Sequence, residues 1–297
     1  MAQIHHFDHG WVTPTVSYVL SVLGSSLGLT CAVRLRAAAG RGERTWWLVL
    51  ASISIGGTAI WSMHFVAMMG FSVVGTPIRY DVGLTAASAV LAIVAVGIGL
   101  AIALLGDGAR NLRILAGGVI AGLGVAAMHY TGMAAMELNG EVSYSMTRVG
   151  LSIGIAVVAA AVALWLTMTV QRPIIIFASA LVMGVAVNGM HFTGMSAMSV
   201  AEHAPTGTLA GATATSLVVP IGAAVVFAII GMAYALMAAP TEEDRAAVAY
   251  LAARRNGLAA MPPAPALPQQ SVPAQSERGG SSLSSGSWTY RDRTSGR

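Results

Sequence analysis

Seven long apolar runs constrain this chain more than any other feature. They fall at about residues 15–35, 46–70, 82–105, 112–136, 150–170, 173–198 and 214–238. Each holds roughly 20 residues or more, enough for a helix to cross about 30 Å of hydrocarbon. The expected fold is therefore an all-α membrane protein with seven transmembrane helices. Charge agrees with this. Only 9% of the 297 residues are charged, where a soluble domain carries roughly 25%. The mean hydropathy of +0.72 makes the lipid bilayer the main partner.

Arginines set the expected orientation. Loops after spans one, three and five carry Arg34, Arg36, Arg41, Arg44, Arg110, Arg113 and Arg172, whereas those after spans two, four and six carry only Arg79 and Arg148. The positive-inside rule then places the N-terminus outside and the C-terminus in the cytoplasm. The first run lies late and ends in Arg34 and Arg36 with no small-residue cleavage site, so a cleavable signal peptide is not expected. The expected organisation is an extracytoplasmic N-terminus at 1–10, a six-helix membrane domain at 11–205, a loop and seventh helix at 206–240, and a cytoplasmic segment at 241–297. Within that last segment, 241–256 reads as a short helix. Thr241 caps it, Glu242, Glu243 and Asp244 sit at its positive end, Arg254 and Arg255 at its negative end, and Gly257 stops it. The Pro-, Ser-, Gln- and Gly-rich remainder reads as disordered and without a catalytic domain.

Residue types exclude several functions. All sixteen basic residues are arginine, so no lysine can form a retinal Schiff base. The net charge of +4 comes mostly from loop and tail arginines, which gives no reason to expect a nucleic-acid partner. Cys31 stands alone, so no internal disulfide exists. No catalytic triad, phosphate loop or carboxylate pair is present, and the chain is expected not to be an enzyme.

The strongest internal signal is a triplication. Met63-His64-Phe65-Val66-Ala67-Met68 recurs as Met128-His129-Tyr130-Thr131-Gly132-Met133 and as Met190-His191-Phe192-Thr193-Gly194-Met195. The spacing matches one helical hairpin per copy, so three two-helix repeats precede a final helix. Each motif sits in the last third of an even-numbered span. His64, His129 and His191 should therefore share one depth near the outer face. Residues four and seven after the histidine lie within about 40° of it around a helix. This puts Met133 and Met136 on the His129 stripe, and Met195 and Met198 on the His191 stripe. Copy one has Phe71 at the last position. The small residue three after each histidine, Ala67, Gly132 or Gly194, reads as a site of close helix approach, as does the Gly118/Gly122 pair.

One histidine or one methionine stripe in a membrane helix is ordinary packing. Three imidazoles at one depth, each with thioethers a turn away, point instead to a shared metal or cofactor site. Thioether and neutral imidazole favour copper, especially Cu(I). No cysteine or carboxylate lies beside the motifs, which disfavours zinc and iron–sulfur. Haem b, held by two histidines or by His and Met, is the alternative. The segment His5-His6-Phe7-Asp8-His9 reads as a solvated N-terminus or a metal-delivering cap, and His203 as exposed.

At these residues the chain resembles the MHYT family of bacterial integral-membrane sensor domains, whose name is spelled by Met128-His129-Tyr130-Thr131. The resemblance implies a multi-pass protein of the bacterial plasma (inner) membrane that binds copper and perceives O2, CO or NO. It places the ligand roles on His64, His129 and His191 with Met63, Met68, Met128, Met133, Met190 and Met195. It also implies a cytoplasmic signalling partner. Copy one departs from the pattern with Phe65-Val66-Ala67, and copy three with Phe192. The expected function is a membrane sensor of a diatomic gas or of a redox or metal signal. The alternative is a transporter of copper or another small solute, against which stands the lack of a second His–Met layer and of mid-span acids.

Overall fold

The structure, a computed structural model, describes residues 4–5, 8, 10–202, 209–240 and 242–259. His6, His9, His203, Thr241 and the stretch beyond Ala259 lie outside the described residues, and with them the readings made of those positions. The chain divides into two compact units, Met1–Ala239 and Pro240–Arg297.

Among the described residues, the first unit holds seven helices long and apolar enough to cross a membrane. They are α1 Val12–Ala37, α2 Arg41–Met68, α3 Val82–Leu105, α4 Arg110–Ala134, α5 Met146–Thr169, α6 Pro173–Met195 and α7 Ala214–Ala238. The second unit contains α8, Glu242–Ala259. This helix continues through Gly257, since a single glycine costs a helix only about 1 kcal/mol and Leu258 and Ala259 favour helix. Turns shorter than eight residues join α1 to α2, α3 to α4 and α5 to α6 at one end of the bundle, called here the arginine end.

Burial sorts the spans. In α2 72% of the apolar window is buried, against 17% in α5 and 11% in α7. The chain thus wraps its peripheral helices around α2, and large apolar side chains such as Val90, Val158 and Phe227 point outward, as lipid contact requires. Helices approach closely where glycine permits. A Cβ on Gly118 or Gly122 of α4 would lie 2.7 and 2.5 Å from the Cα atoms of Ala161 and Val157 on α5, so this pair packs helices as expected. Inside, one chain of polar groups links three helices. Asn188 of α6 donates to Ser21 of α1 at 3.2 Å, and Ser21 donates to the Ala59 carbonyl of α2 at 3.0 Å.

Two features were not foreseen. The middle of α2, Ile53–Ser62, is a π-helix, a wide form found mostly as single turns at functional sites. Among the described residues, the opposite end of the bundle carries six short strands: β1 Ile4–His5, β2 Ser72–Val73, β3 Arg79–Tyr80, β4 Met136–Glu137, β5 Gly140–Tyr144 and β6 Met198–Glu202. They pair antiparallel as β1 with β2, β3 with β4 and β5 with β6. Met136 and Met198 therefore do not extend the helical stripe. The helices stop at Ala134 and Met195, and both methionines belong to strands.

Candidate metal centre

The three motif histidines meet. His64 on α2, His129 on α4 and His191 on α6 are each at most 2% exposed. The Nδ1 of His64 lies 3.0 Å from that of His191 and 3.1 Å from that of His129. Ring centroids are 4.9, 5.0 and 5.2 Å apart, with the planes steeply inclined to one another. Three helices that end at one level bring the rings into a single cluster.

One linear hydrogen bond at the His64 Nδ1 cannot serve both of its contacts. A neutral imidazole has one N–H and one lone-pair nitrogen. If the His64 Nδ1 carries a proton, it directs it at one neighbour; if it does not, its one lone pair accepts from one neighbour. The other contact is then left without a linear hydrogen bond of its own. A cation between the three nitrogens resolves the conflict. Ligand nitrogens about 2.0–2.1 Å from a tetrahedral ion lie about 3.3 Å from each other, close to the spacings seen. The Nε2 atoms of His64 and His129 are buried and make no hydrogen bond. An unsatisfied buried group costs about 1–3 kcal/mol and calls for an explanation. The Nδ1 spacing fits a metal ion that takes Nδ1 from each ring; each Nε2 would then carry the proton, and such an ion does not remove the cost of its missing partner. The cluster does not fit the haem alternative, because the rings touch one another and leave no slot of macrocycle width between them.

The small residues after the histidines serve these rings. A Cβ on Gly132 would fall 2.3 Å from the Nε2 of His64, and one on Gly194 would fall 2.2 Å from the Nε2 of His129. Each glycine makes room for the imidazole of another repeat, a more specific role than helix approach. Ala67 holds the same position on α2.

The flanking methionines divide into two groups. Met68, Met133 and Met195, four residues after each histidine, share one buried cluster with Phe71, Tyr80, Met136 and Met198 at the strand end. Burial there pushes the Tyr80 phenol up to about 12, so this cover stays uncharged. Met128 and Met190 belong to the main core cluster with Leu100, Ala126 and Met232. Met63 is 1% exposed. All six expected sulfur donors are therefore buried.

Further residues fix the motif helices. The hydroxyl of Tyr130 lies 2.6 Å from Ser152 Oγ on α5, and Ser152 itself donates to the Val149 carbonyl. The Trp61 indole donates to Ser88 Oγ on α3 at 2.9 Å, and Ser88 donates to the Thr85 carbonyl. In both cases a serine spends its proton on its own helix and accepts from the motif helix. Sequence reasoning missed Trp61, Ser88 and Ser152. The signal was the serine six residues into α3 and again into α5. At the N-terminal segment, β1 sets His5 beside Ser72, and the Asp8 amide donates to the Gly70 carbonyl at 2.9 Å.

Known proteins resemble this chain in sequence. The family model described as "MHYT: Bacterial signalling protein N terminal repeat" matches residues 57–118, 122–180 and 184–252. Each matched segment begins seven residues before a motif histidine. The chain is 38% identical over 210 residues to the bifunctional diguanylate cyclase/cyclic di-GMP phosphodiesterase MucR of Pseudomonas aeruginosa, covering 69% of this chain and 30% of that protein. It is 36% identical over 172 residues to the cyclic di-GMP phosphodiesterase NbdA of the same organism, covering 54% and 21%. To the signaling protein YkoW of Bacillus subtilis it is 33% identical over 162 residues, covering 51% and 19%. The chain thus spans less than a third of the length of these relatives. No solved structure matches it. With seven apolar helices, three motifs in register and three matched repeats, the chain belongs to the MHYT family of bacterial membrane signalling domains.

Proposed function

We propose that the chain is a membrane sensor whose detecting element is a metal ion held by His64, His129 and His191. The convergence of three Nδ1 atoms in a buried cluster carries this reading. Copper, in the Cu(I) state, is the ion of choice, since imidazole and thioether donors together select a soft cation. Met68, Met133 and Met195 stand one turn after the histidines, within about 40° of them around each helix. Met63, Met128 and Met190 flank the rings and complete the proposed set. When bound, such an ion supplies a position for a diatomic ligand or a change of redox state. The protein's own part is to hold the rings, exclude water and bias one helix arrangement over another. A ligand shifts such an equilibrium only by its differential affinity for the two arrangements.

The arginine end is proposed to face the cytoplasm, following the charge asymmetry of the loops, in the plasma membrane of a bacterium. A cytoplasmic partner would read the helix shift there. Relatives named for cyclic di-GMP enzymes suggest the chemistry of that output. Metal analysis of the purified chain tests the centre. One copper per chain is expected, and none in the variant with His64, His129 and His191 all changed to Ala. Equal copper in both proteins would end the assignment. Metal flux into proteoliposomes would instead favour the transporter reading.

A further inference from the structure

Below the histidine layer, toward the arginine end, the bundle is not filled. A cavity of about 60 Å³ lies there, lined almost wholly by apolar side chains. Its position follows from the helices. Ile60, Val125 and Val187 line it, and each stands four residues before a motif histidine. One helical turn, about 6 Å, separates the cavity from the rings along all three motif helices. Met190, the residue before His191, also lines it.

Two observations point to a ligand. The first is a hydroxyl with nothing to bond. Ser25 of α1 lines the cavity, is 0% exposed, and its Oγ makes no hydrogen bond. A helical serine usually bonds back to a carbonyl of the preceding turn. Thr167, the other hydroxyl in the wall, does so, donating to Leu164 at 2.7 Å. The second is access. Ala159, Ala160 and Ala163 of α5 and Ala186 of α6 line the cavity and are only half-buried. Beside them Val158, Val162 and Val182 are exposed on the outer surface of the same two helices. The half-buried part of the wall on α5 and α6 is thus mainly alanine, with Val187.

From these we infer that the cavity is a binding site for a small, uncharged, lipid-soluble molecule with one hydrogen-bonding head, which enters from the bilayer between α5 and α6 and pairs with Ser25. Size sets the class. A water needs roughly 10–15 Å³ on this measure, so the space takes about four heavy atoms. Water itself is a poor occupant, because it needs two to four polar partners and only one unspent hydroxyl is offered. An ion is a worse one, for want of any charge in the wall. The inference holds whether or not the histidines bind metal.

The test uses the full chain in lipid nanodiscs, with ¹⁹F NMR of two probes of equal size, 2-fluoroethanol and 1-fluoropropane. Saturable line broadening beyond that of empty nanodiscs is expected for both. Ala160→Leu and Ala163→Leu, which fill the space, should each weaken binding at least tenfold. Ser25→Ala leaves the volume and should lower the alcohol-to-alkane affinity ratio about fivefold, the worth of one net hydrogen bond. Broadening no greater than in empty nanodiscs, or unchanged by both leucine variants, overturns the site. If the leucine variants do not fold, the ratio decides alone: unchanged in Ser25→Ala, it overturns the inference. Copper content, measured on the same samples, reports the metal centre separately.

Discussion

Copy two and copy one of the repeat reach the same end by different local means. In copy two, His129 stands on an α-helix that is regular from Arg110 to Ala134. Gly132 takes the ring of His64, and Tyr130 anchors the helix to Ser152. In copy one, His64 follows ten residues of π-helix, Ala67 replaces the glycine, and Trp61 makes the anchor to Ser88. Copy three keeps Gly194 but has Phe192, which has no hydroxyl. What stays the same is the place of the imidazole and the burial of the methionines. The lesson is that the repeat preserves a ring position, while the backbone form and the tether around it vary.

That comparison can be broken most sharply at the glycines. Gly132→Leu and Gly194→Leu drive a side chain into the ring of His64 or His129. Each should abolish copper retention on metal analysis and lower stability by about 1–3 kcal/mol, as overpacking does. Ala67→Gly should leave copper unchanged, because it removes a Cβ and drives no atom toward the rings. Next come the histidines. Single changes of His64, His129 and His191 to Ala should weaken copper equally, by about 100-fold or more in competition with a Cu(I) chelator, since even supporting groups cost 10–100-fold. A residue whose loss is tolerated would show the cluster to be a pair with a bystander. The methionines should separate by side. Met68→Leu, Met133→Leu and Met195→Leu together are expected to cost roughly tenfold more affinity than Met63→Leu, Met128→Leu and Met190→Leu together, on the scale of ligand and supporting losses. The smallest effect belongs to the tethers. Tyr130→Phe and Trp61→Phe each remove one part-buried hydrogen bond and should lower stability by about 1 kcal/mol in thermal unfolding. Equal losses would show the two anchors to be equivalent.

The spans and the meeting of the histidines were legible because both rest on strong, local regularities. Span lengths are dictated by bilayer thickness. His64, His129 and His191 recur with the hairpin, so antiparallel helices bring them to one level. The strands were not legible. Gly140–Tyr144 pairs with Met198–Glu202, partners nearly sixty residues apart and only five residues long, too short for alternation to rise above chance. The stripe through Met136 failed for the same reason, since nothing local marks Ala134 as a helix end. The π-helix escaped because its cause is tertiary. A Cβ on Gly56 would lie 2.7 Å from the Ala92 carbonyl of α3, and one on Gly24 of α1 would lie 2.5 Å from the Ala59 nitrogen. Gripped on both sides, α2 adapts its winding to its neighbours. Gly132 and Gly194 were seen as small but not as ring seats, since what fills the room lies on another repeat.

The strand pairs at one end carry a mechanical consequence. β2 and β3 follow the first motif helix, β4 and β5 the second, and β6 the third. Because β3 pairs with β4 and β5 with β6, each motif helix is stitched to the next just beyond its histidine. A bridge from Tyr80 to Ala212 extends the seam toward α7. The bundle is hooped at this rim and held at the other only by short turns. Any tilt begun at the rings therefore pivots on the hoop, and its amplitude grows with distance down the staves.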